Sequence, residues 1–326
     1  MQTKPDVGRR ALVISLPLMG ALLTPAAKAA DTRQITLLVA YPPGGASDST
    51  ARMLARRLAE RLNRTVVVEN RAGADGIIAM QALARSSADG TTIGFAAVSP
   101  LALTPHVRKL PFDLKAITPL VSVMYSPGVL IATPSLKVKD FQGLVQRAKS
   151  EPSSIRAGVS GTTSVATLVF EQLQKQAAME LTIVPYKGGG QLVSDALAGH
   201  FEVLYMNADP TLLQNIANGK LSALAVAAPA RLPSLKDIPT LTELGFPLAN
   251  RESVFGLFLP AGVPSNISEQ LSAAVIAVLD EPDFRAKVAE MGNGVLIGSQ
   301  KDFQDRIQRE SRSNAQIIQE SNLIGR

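Results

Sequence analysis

Five short stretches of this sequence place small residues, hydroxyls and amides where an apolar run gives way to a helical pattern. They are Pro42-Pro43-Gly44-Gly45-Ala46-Ser47, Ser99-Pro100, Ser160-Gly161-Thr162-Thr163-Ser164, Pro185-Tyr186-Lys187-Gly188-Gly189-Gly190 and Asn207-Ala208-Asp209-Pro210. The first turn of a helix leaves its N–H groups unpaired and carries a partial positive charge, so such loops suit an anion. Gly44-Gly45 lets the main chain come close to a bound group, because glycine has no Cβ. Ser160, Thr162, Thr163 and Ser164 offer hydroxyls in one turn, and a carboxylate gripped in this way needs no lysine or arginine. The same hydroxyls also serve as helix caps, each worth about 1 kcal/mol. Binding is favoured by recurrence: the loops fall at the C-terminal ends of strand candidates, where open α/β sheets take their ligands.

The chemistry of catalysis is harder to find. The chain has no cysteine, so thiolate catalysis, disulfides and Cys-ligated metals are excluded. GxSxG, GxxxxGK[ST] and HExxH are absent, and Gly44-Gly45 lacks the third glycine of a dinucleotide loop. His106 and His200 read as structural or exposed, and Lys187 as a solvated or anion-facing charge. Asp75 and Asp89 flank glycines and read as turn residues. No catalytic residue, metal or cofactor is therefore expected. Nucleic acid is excluded as a partner too. Aromatics make up 4% of the chain, and half of the net charge of +6 sits on the first 29 residues without any basic run beyond them.

The elements that position these loops follow from hydrophobic periodicity. At 326 residues the chain is long enough for about two domains of ~150 residues. Residues 1–30 read as an export signal: Arg9-Arg10, the apolar core Ala11–Leu23, then Ala27-Lys28-Ala29 as a cleavage site before Ala30 or Asp31. That core is shorter than the ~20 residues of a membrane span, and both Sec and twin-arginine routes fit it. A soluble, exported, cysteine-free chain suits a periplasm. Beyond it, strand candidates at Gln34–Tyr41, Thr65–Glu69, Thr92–Val98 and Val121–Thr133 alternate with helical patterns at Ser47–Leu62, Ile77–Ser86 and Val138–Ser150. The alternation then recurs from Ile155 to Ala227, followed by a long, irregular, proline-rich surface stretch, Pro229–Pro247. A strand at Val254–Pro260 and helices at Ser265–Asp280 and Lys301–Ser321 close the chain. Two similar β-loop-α halves predict an α/β fold of two lobes.

Eight ordered segments carry a family resemblance. They are VAYPPGGASDSTARMLARRL (Val39–Leu58), VVVENRAGADG (Val66–Gly76), ADGTTIGF (Ala88–Phe95), LPFDL (Leu110–Leu114), VPYKGGG (Val184–Gly190), NGKLSALAV (Asn218–Val226), IPTLTELG (Ile238–Gly245) and FGLFLPAGVP (Phe255–Pro264). The chain resembles the Bug-type periplasmic solute receptors of tripartite tricarboxylate transporters over nearly all of its length after the signal.

The resemblance implies a two-lobed, Venus-flytrap periplasmic-binding-protein fold with a hinge crossed twice. One lobe would be residues 31–131 plus 252–326, the other 132–251. It implies a small carboxylate or related organic ligand held by Tyr41, Gly45, Ala46, Ser47 and Ser99 of the first lobe and by Ser160, Thr162, Thr163, Ser164 and Asn207 of the second. It further implies a monomer that feeds membrane transporter subunits; a sensor kinase or other signalling partner is the alternative. The chain departs from the family at Val165 and Ala166, where relatives commonly carry hydroxyls, at Asn207, where many carry Asp, and at Val254, where an aromatic is common. Those departures favour a ligand without a charged amine, since a neutral Asn holds an ammonium less strongly than Asp.

Overall fold

The computed structural model describes residues 1–3, 33–161, 164–186 and 189–321. Nearly all of the expected export signal, together with Thr162, Thr163 and Lys187, lies outside the described residues.

The apolar run Ile35–Val39 forms β1. It is followed by Ala46–Leu62 (α1), Val66–Asn70 (β2), Ile77–Ala84 (α2), Thr92–Ala97 (β3), the short Ser99–Ala102 (α3) and Ile117–Ser126 (β4). After Pro127 come Gly128–Ala132 (β5), Phe141–Ser150 (α4), Arg156–Val159 (β6), Val165–Ala177 (α5), Thr182–Pro185 (β7) and Gly189–Leu197 (α6). Val203–Asn207 (β8), Pro210–Ala217 (α7) and Ser222–Ala227 (β9) complete that half. The chain returns with Ser253–Pro260 (β10), Ser265–Leu279 (α8), Pro282–Glu290 (α9), Gly294–Val295 (β11) and Gln300–Ser321 (α10).

The strands make two sheets, β11-β4-β10-β3-β1-β2 and β7-β6-β8-β5-β9. Strands β1, β2 and β3 run parallel in the first sheet, and β6, β7 and β8 in the second; β10 and β5 enter antiparallel. Both faces of each sheet are covered, which is why the strands read as near-continuous apolar runs rather than alternating ones. In β1, Ile35, Leu37 and Val39 pack with Leu54 and Leu58 of α1 and Val275 of α8. Leu38, between them, turns to Met80 and Leu83 of α2 and Phe303 of α10. The second sheet repeats the arrangement: Ala157 and Val203 pack with Phe170 of α5, whereas Ile131 and Leu204 pack with Leu192 of α6 and Leu212 of α7.

Two expectations change. The single strand expected at Val121–Thr133 is two strands, one in each sheet, broken at Pro127. Proline cannot donate to a ladder, and a side chain on Gly128 would overlap the phenol ring of Tyr205. The chain therefore leaves the first sheet at Pro127, not after Ile131, and Gly128–Ile131 belongs with the second. The stretch Pro229–Pro247 is also less peripheral than its prolines suggest. Leu241 is fully buried, and Thr240 bridges to Val226 beside β9.

Helix α10 packs against both α3 and α5, with Ile317 and Ile318 meeting Leu103 and Leu168. Among the described residues, no helix is long and apolar enough to cross a membrane.

Candidate functional site

A cavity of about 350 Å³ opens between the sheets. It is lined by Tyr41, Asp75, Ala97, Ser99, Ser160, Ser164, Val165, Ala166, Leu192, Tyr205, Met206, Asn207, Ser253 and Phe255. Its walls are set by strand ends. Tyr41 follows β1, Ser99 follows β3, Ser160 follows β6, and Asn207 ends β8. Each is the point at which a parallel strand hands the chain to a loop, so the fold brings together residues far apart in sequence.

Tyr41 forms one wall. Its hydroxyl oxygen accepts from the Ala97 N–H at 2.9 Å, and its ring stands edge-on to Phe255 at 5.6 Å. Burial pushes the Tyr41 phenol up, against the backbone hydrogen bond from Ala97, with the nearby Asp75 charge adding to the rise. The tyrosine is a neutral wall and a fixed hydrogen-bonding group, not a base. Tyr205 is similar: its hydroxyl donates to the Arg251 carbonyl, and burial again raises its pKa.

The opposite wall is the start of α5. Ser164 caps this helix: its Oγ accepts from the Thr167 N–H at 3.4 Å and donates to the Gly161 carbonyl at 3.0 Å. Val165 and Ala166 occupy the first two helical positions and line the cavity. Their amides have no intrahelical acceptor, and the positive end of the helix dipole lies with them. Loss of the two hydroxyls at these positions leaves the amide donors in place. At the floor, the Asn207 Oδ1 accepts from the Ser253 hydroxyl at 3.0 Å.

Of the residues expected at the site, the structure brings Tyr41, Ser99, Ser160, Ser164 and Asn207 to one cavity. It does not bring Gly45, Ala46 or Ser47 there. Gly45 is exposed, caps α1 with an ordinary φ of −81°, and a Cβ on it would meet open space. Gly44, at φ +93°, is the residue of that pair that needs to be glycine. The loop is held from below by Asp48. Its carboxylate accepts from the Gly44 N–H at 3.0 Å, from Arg52 Nε at 2.9 Å and from Asn70 Nδ2 at 2.7 Å. Burial opposes ionisation of Asp48, but these three partners outweigh it and hold the carboxyl below its usual range.

Sequence reasoning missed Asp75, Leu192, Tyr205, Met206, Ser253 and Phe255. Asp75 had a signal: an acid in a glycine-rich loop just beyond a strand. Leu192, Tyr205 and Phe255 had none, because their apolar or aromatic side chains are indistinguishable from core in a sequence. Among the described residues, no group of three or more His, Asp or Glu side chains could hold a metal ion.

Two sheets joined by two chain crossings, with a cavity between their strand ends, define the two-lobed periplasmic binding proteins. Solved structures of that class match this one. The structure of R. palustris Rpa4515 with adipate matches with a TM-score of 0.81 and 30% identity over 90% of this chain and 98% of that one. MatC from Rhodopseudomonas palustris, with bound malate, shares the fold at a TM-score of 0.77 and 24% identity, over 88% of this chain and 99% of that one. The model of the tripartite tricarboxylate transporter family receptor matches residues 50–323, and the chain belongs to that family. Among curated relatives, Protein BugT of Bordetella pertussis is 32% identical over 298 residues, covering 90% of this chain and 91% of BugT.

Proposed function

We propose that the protein is an extracytoplasmic receptor that captures a small organic carboxylate between its two sheets and delivers it to the membrane subunits of a tripartite tricarboxylate-type transporter. The observation that carries this reading is the cavity of about 350 Å³, which lies within the range of small-molecule sites. It combines apolar walls (Leu192, Met206, Phe255) with convergent hydroxyls (Ser99, Ser160, Ser253) and the leading amides of α5. An anion placed there meets several neutral donors and a helix N-terminus, which together offset its desolvation without a matching cation. Adipate in the matched R. palustris structure supports the same class of ligand. Family membership supports the transporter as partner and the periplasm as the compartment. The reading is of a binder that acts as a monomer, with no turnover of its ligand.

The test is to denature protein purified from its native compartment and identify the released molecule by mass spectrometry. That molecule is then titrated calorimetrically into refolded protein, with its recovery checked for chemical change. A carboxylate that binds and returns unaltered is the expected result. A released molecule without a carboxylate, or one converted on incubation, overturns the reading.

A further inference from the structure

A carboxylate held between the sheets must exchange its hydration for hydrogen bonds, so the donors lining the cavity decide what else a ligand can carry. Several of them are already spent within the protein. The Ser164 hydroxyl donates to the Gly161 carbonyl at 3.0 Å, the Ser253 hydroxyl to the Asn207 oxygen at 3.0 Å, and the Tyr205 hydroxyl to the Arg251 carbonyl. Among the described lining residues a short set of donors remains: the Ser99 and Ser160 hydroxyls, the Asn207 amide hydrogens, the Tyr41 hydroxyl and the leading amides of α5. The Tyr41 oxygen accepts from the Ala97 N–H at 2.9 Å, and burial holds its proton in place to be donated.

One carboxylate presents two oxygens with about four acceptor positions, and this set can fill them. It cannot fill them twice. No lysine or arginine is among the described lining residues, and the one charged side chain there, Asp75, accepts hydrogen bonds from a ligand but gives none to a carboxylate. The rest of the lining is hydrocarbon and ring: Ala97, Leu192, Met206 and Phe255, with the side chains of Val165 and Ala166. The Phe255 ring is fixed edge-on to Tyr41 at 5.6 Å, which gives a flat apolar body a firm surface to lie against.

We propose that the cavity selects a monocarboxylate with an alkyl or aryl body in preference to the dicarboxylate of the same skeleton. The proposal rests on the carboxylate-receptor reading and narrows it. One carboxylate meets the remaining hydroxyls and amides. A second would surrender its hydration without a described donor to replace it, and an unsatisfied charged group costs more than a neutral one. A hydrocarbon end in its place gains by burial, about fourfold in affinity per methylene while the cavity has room. Val165 and Ala166 point the same way: at the start of α5 their backbone amides serve the carboxylate, while their side chains add apolar surface and no donor. Adipate, bound in the matched R. palustris structure, carries two carboxylates; the described donors here serve one.

The experiment titrates matched pairs calorimetrically: butanoate against succinate, hexanoate against adipate, octanoate against suberate and benzoate against terephthalate. Wild-type protein is compared with Met206→Gln, which keeps the length of the side chain and adds an amide donor, and with Val165→Thr, which keeps its shape and adds a hydroxyl. Circular dichroism confirms folding of each. The expected result is that the wild type holds its tightest-binding monocarboxylate about tenfold or more tighter than the dicarboxylate partner, and that a folded variant narrows the preference. A smaller preference in the wild type, or one that neither variant narrows, overturns the selection for monocarboxylates and leaves the receptor reading standing. Failure of every acid to bind the folded wild-type protein overturns the two together.

Discussion

The Ser253 hydroxyl donates to the Asn207 side-chain oxygen at 3.0 Å, and this one bond ties β10 of the first sheet to the end of β8 in the second. It lies where the chain crosses between sheets: Ser253 pairs with Ser126 in β4, and Asn207 pairs with Gly128 in β5, on either side of Pro127. The bond occupies the Asn207 oxygen and so leaves its amide hydrogens for the cavity. Asn207→Asp keeps an acceptor for Ser253 but replaces those donors with a charge. Folding should be little changed, while affinity for an anionic ligand should fall about tenfold or more. Calorimetry beside a thermal melt separates the two effects.

Gly128 and Tyr205 form the second hinge relationship. The phenol ring fills the space that a Cβ at residue 128 would need, and its hydroxyl donates to the Arg251 carbonyl at the other crossing. Gly128→Ala must displace a fully buried ring, and overpacking of this kind costs about 1–3 kcal/mol. Urea unfolding should show that loss. Ligand affinity should fall as well, since Tyr205 lines the cavity.

The PPGG turn gives a paired prediction. Gly44 has φ +93° and Gly45 has φ −81°, with open space beside both. Gly44→Ala should destabilise by about 1 kcal/mol, whereas Gly45→Ala should stay within about 0.5 kcal/mol of wild type. Chemical denaturation of the two variants checks this. Equal losses would mean that Gly45 is under a constraint that its backbone does not show.

Much of the fold is visible in the sequence because buried parallel strands are short apolar runs closed by Gly, Pro or Ser. The expected helix Ser47–Leu62 and strand Thr92–Val98 differ from the observed α1 and β3 by one residue at an end. The break at Pro127 is not visible in the same way, since Val121–Ser126 and Val129–Thr133 are equally apolar and only packing against Tyr205 separates them. Helix α9 was missed for the opposite reason. It is a polar segment of which only Phe284 and Val288 are buried, too few for a clear period. For the site, chain position was informative and residue type was not. Strand-end loops pointed to Ser99, Ser160 and Asn207 and the family resemblance added Tyr41, all of which line one cavity, but a glycine pair suggested close approach to a ligand where the structure has an exposed cap held by Asp48.

Acid should expose the role of Asp48. Its carboxyl titrates below the ordinary 3.8 in the folded protein: burial works against ionisation, but Arg52, Asn70 and the Gly44 amide more than compensate. A lowered folded pKa means stability that is fully present above the unfolded value and is lost as pH falls through the folded one. Wild-type protein should therefore lose part of its stability below about pH 4. Asp48→Asn should be weaker at neutral pH by about 1–3 kcal/mol, and it should lose less on acidification. Urea melts across that range test this, and parallel curves for the two proteins would remove Asp48 from the acid response.

A last prediction concerns the polar cluster behind the cleft, where α10 meets the second crossing. Arg306 bridges Glu252 at 2.7 Å and Glu310 at 3.1 Å. Arg251 donates to Ser313 at 3.1 Å and to Asn314. Burial raises the Glu310 carboxyl, and the Arg306 guanidinium works against that rise. Removing it strands two carboxylates in a half-buried setting. Fully buried pairs lose about 3–5 kcal/mol when one partner is removed; with side chains 15–30% exposed, Arg306→Ala should lose about 2 kcal/mol. Arg306→Ala with Glu310→Gln should recover part of that loss, because the second change removes one of the stranded charges. A double-mutant cycle in urea measures the coupling. Strict additivity would mean that the two residues act independently and that the cluster does not fasten α10 to the crossing.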